Sequence, residues 1–396
     1  LRLRDSTPGI KNDGVFFQGA SHRGAWAWFL GVLITGFYCV LYWWDEGATS
    51  FPLQGGVALL EPLSQALRGG PADKWFLYGF AYSVAVLVMG SRVAMKYRHN
   101  RYQLVRTASV ASFQLVLAFI VPGLLRKMNQ PEFYFTYFWP LKVDYLFPDG
   151  FSWLWHSGNL GKFMFGWGLI VSFVGVPVLT YFFGKRWYCS WVCGCGGLAE
   201  TAGDPFRQLS DNSARAWKIE RWMIHGVLVF VVSVTAVLWL NDWTGWGFLG
   251  TIGAPMKKTY GFLIGSVFSG VVGVGFYPLL GSRVWCRFGC PQAALLGILQ
   301  RWFSRFRITT NGGQCISCGN CSTYCEMGID VRAYAQKGRN IVRASCVGCG
   351  VCAAVCPRGV LKLENGEVGD RYEGADAPLV DMLRATGVLR GDWDQD

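Results

Sequence analysis

Six stretches of this chain are almost free of charge and are close to the length that carries a helix across a bilayer. They are 25–44, 75–89, 107–125, 163–183, 222–240 and 260–280. One such run alone would fit a buried core helix. Six runs in 396 residues, of which 52% are hydrophobic, predict an α-helical integral membrane protein of about six transmembrane helices. The second run is the shortest.

Charge orders these runs. The net charge of +12 would suit a nucleic-acid surface if it were clustered. Instead the loops 1–24, 90–106, 184–221 and 281–310 together hold twenty Lys and Arg, while 45–74, 126–162 and 241–259 hold eight. The basic set faces the cytoplasm by the positive-inside rule. Both termini then lie inside, no nucleic-acid partner is expected, and membrane lipid is. The expected location is a bacterial inner membrane, crossed several times.

After the last run the composition changes. "CISCGNCSTYC" begins at Cys315 and "CVGCGVCAAVCP" at Cys346, and each is C-x2-C-x2-C-x3-C. This is the spacing of two-cluster bacterial ferredoxins, where three close thiolates wrap one cubane and the fourth reaches the other. Cys315, Cys318, Cys321 and Cys356 form one expected [4Fe–4S] set; Cys346, Cys349, Cys352 and Cys325 form the second. A disulfide scaffold conflicts with a reducing cytoplasmic face, and zinc takes its ligands in pairs. Glu326 stands where the second run has Pro357, and its charge is expected to act on the neighbouring cluster's potential. The expected domains are a cytoplasmic segment 1–24, a six-helix membrane domain 25–310, an α+β two-cluster ferredoxin-like domain 311–365 and an acidic tail 366–396.

Two strings repeat: "GKRWYCSWVC" at 184–193 and "GSRVWCRFGC" at 281–290. Each follows an apolar run and ends in Cys-x-x-x-Cys. If helical, the pairs lie on one face, and Cys189, Cys193, Cys286 and Cys290 could supply four thiolates to an iron–sulfur cluster or to copper. Buried apolar cysteines at helix ends and a redox disulfide are the alternatives. Cys195 is a substitute candidate for Cys193, and Cys39 reads as core.

A membrane segment with two Cys-x-x-x-Cys strings followed by a two-cluster module resembles the polyferredoxin family, which includes NapH-type quinol dehydrogenase subunits, the membrane half of NosR regulators and CcoG/FixG-type proteins. The resemblance covers roughly residues 160–365. The family's strings end in Cys-Pro; Cys290-Pro291 keeps this and Cys193-Gly194 does not. The resemblance implies the eight ferredoxin cysteines as cluster ligands and the other four as a paired motif of unassigned ligand.

The four histidines, His22, His99, His156 and His225, offer no facing pair for a membrane haem. No flavin or nucleotide fingerprint is present. The aromatic segment 129–150 reads as an interfacial belt, with a quinone pocket or docking surface as its functional alternative. The chain thus reads as an electron-transfer subunit, with other redox subunits and a cytoplasmic electron donor or acceptor as partners. It would relay electrons between the quinone pool or a membrane partner and a protein docking at the ferredoxin module. A metal-handling maturation accessory and a redox sensor are the rival classes.

Overall fold

The structure, a computed structural model, describes residues 23–45, 51–245 and 247–365. The expected N-terminal segment up to residue 22, His22 included, and the acidic tail lie outside the described residues. Five described helices are long and apolar enough to cross a membrane. They are α1 (Ala25–Trp43), α2 (Lys74–Lys96), α3 (Arg101–Lys127), α4 (Gly158–Phe183) and, after the short α5 (Gly194–Glu200), α6 (Ala214–Thr244). A further amphipathic helix, α7 (Pro291–Phe303), leads into the cysteine-rich segment.

Short polar side chains start these helices. Asp73 accepts from the Phe76 N–H at 2.7 Å, Asn100 from Gln103 at 3.3 Å and Ser213 from Ala216 at 3.2 Å. The short second run thereby extends into the 23-residue α2. Large apolar side chains such as Trp28 and Val32 on α1, Ile170 and Phe173 on α4 and Val229 on α6 remain exposed, as a lipid-facing surface requires. The sixth run is less regular. An α-helix over Gly247–Thr259 continues as a wide π-helix over Tyr260–Val272, then gives way to a turn before Tyr277–Leu280. Gly273 and Gly275 stand at that break.

The cysteine-rich segment is closed by an antiparallel pair, β1 (Phe306–Thr310) and β2 (Leu361–Asn365), with Phe306 opposite Asn365. The two cysteine runs lie between the strands. The segment packs on the loops that follow α4 and α6 in one continuous core, which includes Tyr188, Leu296, Phe306, Ile308 and Val347. The starts of α3 and α6 and the end of α4 meet it. Tyr102 donates to the Gly348 carbonyl at 2.9 Å, Arg343 lies 5.1 Å over the Trp217 ring, and the Arg305 N–H bonds the Tyr181 carbonyl at 2.8 Å.

The segment after α3 departs from the expected interfacial belt. Phe133, Thr136 and Phe138 are buried inside the protein. Tyr188, within the first repeated string, donates to the Thr136 carbonyl at 2.9 Å. The Phe138 ring lies 4.9 Å from Tyr188 and stacks on Trp187. The segment therefore re-enters the helix bundle and reaches the cysteine strings. Irregular backbone at that depth is tolerated because protein, not lipid, surrounds it. At its mouth Glu132 pairs with Arg68 at 2.9 Å and Arg126 at 3.1 Å, which fixes its entry against α3.

Candidate functional site

Each repeated string begins at a glycine with positive φ, Gly184 at +68° and Gly281 at +92°, so the chain turns out of the preceding helix. Both then form a wide turn. The Cys193 N–H bonds the Tyr188 carbonyl at 2.8 Å and the Cys290 N–H bonds the Trp285 carbonyl at 3.0 Å, five residues apart in each case. The second cysteine is the N-cap of the following helix in both copies, α5 and α7. The Cys290 sulfur accepts from the Ala293 N–H at 3.4 Å. The expected single helical face is thus a π-turn followed by a helix start.

The two strings meet. Arg283 of the second copy donates to the Cys189 carbonyl of the first at 3.1 Å and approaches the Cys286 sulfur at 3.6 Å. Cys189, Cys193, Cys286 and Cys290 are all buried and electrostatically mutual neighbours. Burial, reinforced by Cys193 and Cys286, pushes the Cys189 thiol up to about 12 against the pull of Lys185 and Arg283. Cys193 differs. The Cys195 S–H donates to it, and with the Gly196 and Cys195 N–H groups holds it down to about 7. Cys195 thus stands beside Cys193 as its immediate neighbour.

The ferredoxin cysteines gather as two sets. One pocket is lined by Cys315, Cys318, Cys321 and Cys356; another is lined by Cys325, Cys346, Cys349 and Cys352. The fourth cysteine of each run has crossed to the other set, and Cys352 and Cys321 interact between the sets. Cys318 is exposed, whereas Cys346 and Cys352 are buried against the membrane part. Among the described residues no three His, Cys, Asp or Glu side chains converge on a single metal ion. A mononuclear site draws its sulfurs to about 2.3 Å from one atom. A cubane holds its thiolates apart, and four cysteines lining one pocket at this spacing fit a cluster.

Polar side chains of the membrane part grip the 343–349 loop. Gln300 donates to the Arg343 and Cys346 carbonyls, both at 2.8 Å, and accepts from the Lys185 N–H at 2.7 Å. Ser190 donates to the Val347 carbonyl and Gln103 to that of Cys349, each at 2.8 Å. A buried ionic network runs beneath. Asp204 pairs with Lys96 at 2.9 Å, Arg207 at 3.2 Å and Arg92 at 3.4 Å. Arg207 reaches Glu326 at 2.7 Å, and Arg283 joins Glu326 at 3.1 Å to Glu200 at 2.5 Å. Glu200 also pairs with Arg106. Glu326 lines the second cavity, so the acid that replaces a proline is tied to five cations through this network.

The pairing of Glu326 with Arg207, and the carboxylates Asp204 and Glu200, carry no signal in the sequence, because a charge between apolar runs reads first as topology. A lone Gln114 inside the apolar stretch Phe113–Ile120 does carry one. It donates to the Val192 carbonyl at 2.6 Å and accepts from Tyr82, which shares its hydroxyl with the Gly194 carbonyl.

A family model described as a 4Fe-4S dicluster domain matches residues 314–361. A second, described as a 4Fe-4S binding domain, matches twice, over 165–212 and 263–309, once across each repeated string. These matches are consistent with a membrane polyferredoxin-type family. The chain is 26% identical over 185 residues to YccM of Escherichia coli, whose name assigns it to electron transport; this covers 41% of the chain and 46% of YccM. It is 28% identical over 170 residues to the methylamine utilization ferredoxin-type protein MauN of Paracoccus denitrificans, covering 40% of the chain and 56% of MauN. An uncharacterized protein of Methanocaldococcus jannaschii is 25% identical over 217 residues, 52% of the chain and 76% of that protein. The chain thus spans about half the length of YccM and MauN. No solved structure matches it.

Proposed function

We propose that this protein is a membrane-bound electron relay. Electrons pass between the quinone pool or a membrane redox partner and a protein that docks at the ferredoxin module on the cytoplasmic side. The observation that carries this reading is the packing of Cys189 and Cys193 into the same core as both ferredoxin sets, with Cys286 and Cys290 in the adjoining core. Cys189, Cys193, Cys286 and Cys290 would hold a third cluster beside the membrane. Cys325, Cys346, Cys349 and Cys352 would hold the next, and Cys315, Cys318, Cys321 and Cys356 the outermost. When bound, such clusters supply one-electron transfer and no bond chemistry. The chain's own residues fix the order. Gln300, Ser190 and Gln103 hold the middle group against the membrane centre, and the exposure of Cys318 offers the outer group to a partner.

The test is anaerobic purification in detergent, with iron and copper quantified and EPR recorded before and after a menaquinol analogue. About twelve irons per chain, falling by about four on Cys286→Ala, are expected, together with reduction by the quinol. Stoichiometric copper and no response to quinol would instead support a metal-handling accessory.

A further inference from the structure

The two repeated strings share an arginine at their third position, Arg186 and Arg283, and the fold uses it unequally. Arg186 of the first copy turns outward, 4.4 Å over the Phe306 ring, with its guanidinium on Asn365 at 3.1 Å. Its neighbour Lys185 is buried, with 1% of its surface exposed. In the second copy Ser282 occupies the Lys185 position and Arg283 is buried. The first copy thus buries Lys185 and the second buries Arg283, one residue apart in register, together with Arg287, which pairs with Glu220 at 2.6 Å.

Lys185 has an unusual environment. Its ammonium group donates to the Ala344 carbonyl at 3.2 Å, and among the described residues no carboxylate pairs with it. Its own backbone carbonyl accepts from the Cys189 N–H at 3.1 Å, and Gln300 links its N–H to the Cys346 carbonyl. Its charge acts on Cys189, Cys286 and Cys346. Arg283 lies on the other side, shared with Glu200 and Glu326. Burying an ammonium group that no carboxylate among the described residues pairs with is costly unless an anion completes the site. A cubane carrying four thiolates is such an anion.

We infer that Lys185 and Arg283 are the charge-compensating residues of the four-cysteine membrane centre, and that Lys185, wedged between this centre and the Cys346 loop, sets the reduction potentials of both neighbouring clusters together. This rests on the third-cluster reading above. Lys185 is a positioning residue, since it contributes charge and no ligand bond. Removing a positive charge disfavours the reduced, more negative state, so the potentials fall.

The experiment is an EPR-monitored redox titration of the full chain in detergent, with iron counts, for the unsubstituted protein, Lys185→Met and Lys185→Arg. In Lys185→Met the reduction equilibrium is expected to fall at least about tenfold, about 59 mV for one electron, at the membrane centre and the Cys346-group cluster. The Cys315-group cluster should stay in place, and Lys185→Arg should restore the original values. Loss of about four irons in Lys185→Met, regained in Lys185→Arg, supports the same charge role. Unchanged potentials, equal shifts at all three clusters, or iron loss in both variants would overturn it. About eight irons in the unsubstituted protein would remove the third cluster itself, a failure distinct from unshifted potentials in a protein that holds twelve.

Discussion

Gly194 shows how one residue records a packing constraint. The matching position in the second copy is Pro291, at the first turn of α7, where a missing N–H costs nothing. In the first copy a Cβ at Gly194 would stand 2.6 Å from the Tyr137 hydroxyl and 2.9 Å from Gln114 Oε1. The re-entrant segment occupies the space a proline ring needs, so the departure from Cys-Pro is a consequence of Tyr137. Gly194→Ala should destabilise the fold by about 1–3 kcal/mol and lower the iron content. Tyr137→Phe should recover part of that loss, because it removes the nearest atom. A double-mutant cycle in thermal unfolding with iron counts checks this, and additive effects would contradict it.

At the scale of elements, the 343–349 loop is held by side chains from several parts of the membrane domain. Gln300 on α7 satisfies two of its carbonyls and one N–H of the first string, and it is 2% exposed. Gln300→Leu keeps most of the volume and strands those groups, at about 1–3 kcal/mol each. The expected result is faster amide exchange in 343–349 and at Lys185, with the Cys315 set little changed; protection equal to the parent protein would refute this docking role. Little of this was legible in the sequence. Five of the six spans were, because long uncharged runs have few alternatives, and the dicluster segment was, because the spacing of its cysteines is specific. The docking glutamines were not, since a glutamine in an amphipathic helix looks the same whether it faces water or a backbone carbonyl. The re-entrant segment was not, since aromatic residues suit a bilayer interface and a protein interior alike.

Across the whole molecule, the ionic network makes stability depend on acidity. Burial alone would raise Asp204, yet Lys96, Arg207 and Arg92 overcome it and hold the carboxyl below the ordinary aspartate range. A depressed folded-state pKa contributes stability that is fully present above the unfolded value, about 4, and is lost as pH falls through the folded value. As far as Asp204 is concerned, the melting temperature should therefore be insensitive to pH near neutrality and fall below about pH 4. Asp204→Asn should lose stability at neutral pH, by about 3–5 kcal/mol for a broken buried pair, and should flatten the acid limb. Thermal unfolding from pH 3 to 8 measures both, and an acid limb unchanged in Asp204→Asn would exclude this residue as its source. The strand pair has a different consequence. β1 lies before the first cysteine run and β2 after the second, and Phe306 on β1 supports Arg186 from the first string. A cut at residue 310 would leave the cysteine-rich part without half of its sheet, and grafting that part onto another carrier would leave behind the strand that closes it. In this protein the cysteine-rich module is not a detachable cartridge; its boundary runs through the chain that leads out of the apolar helices.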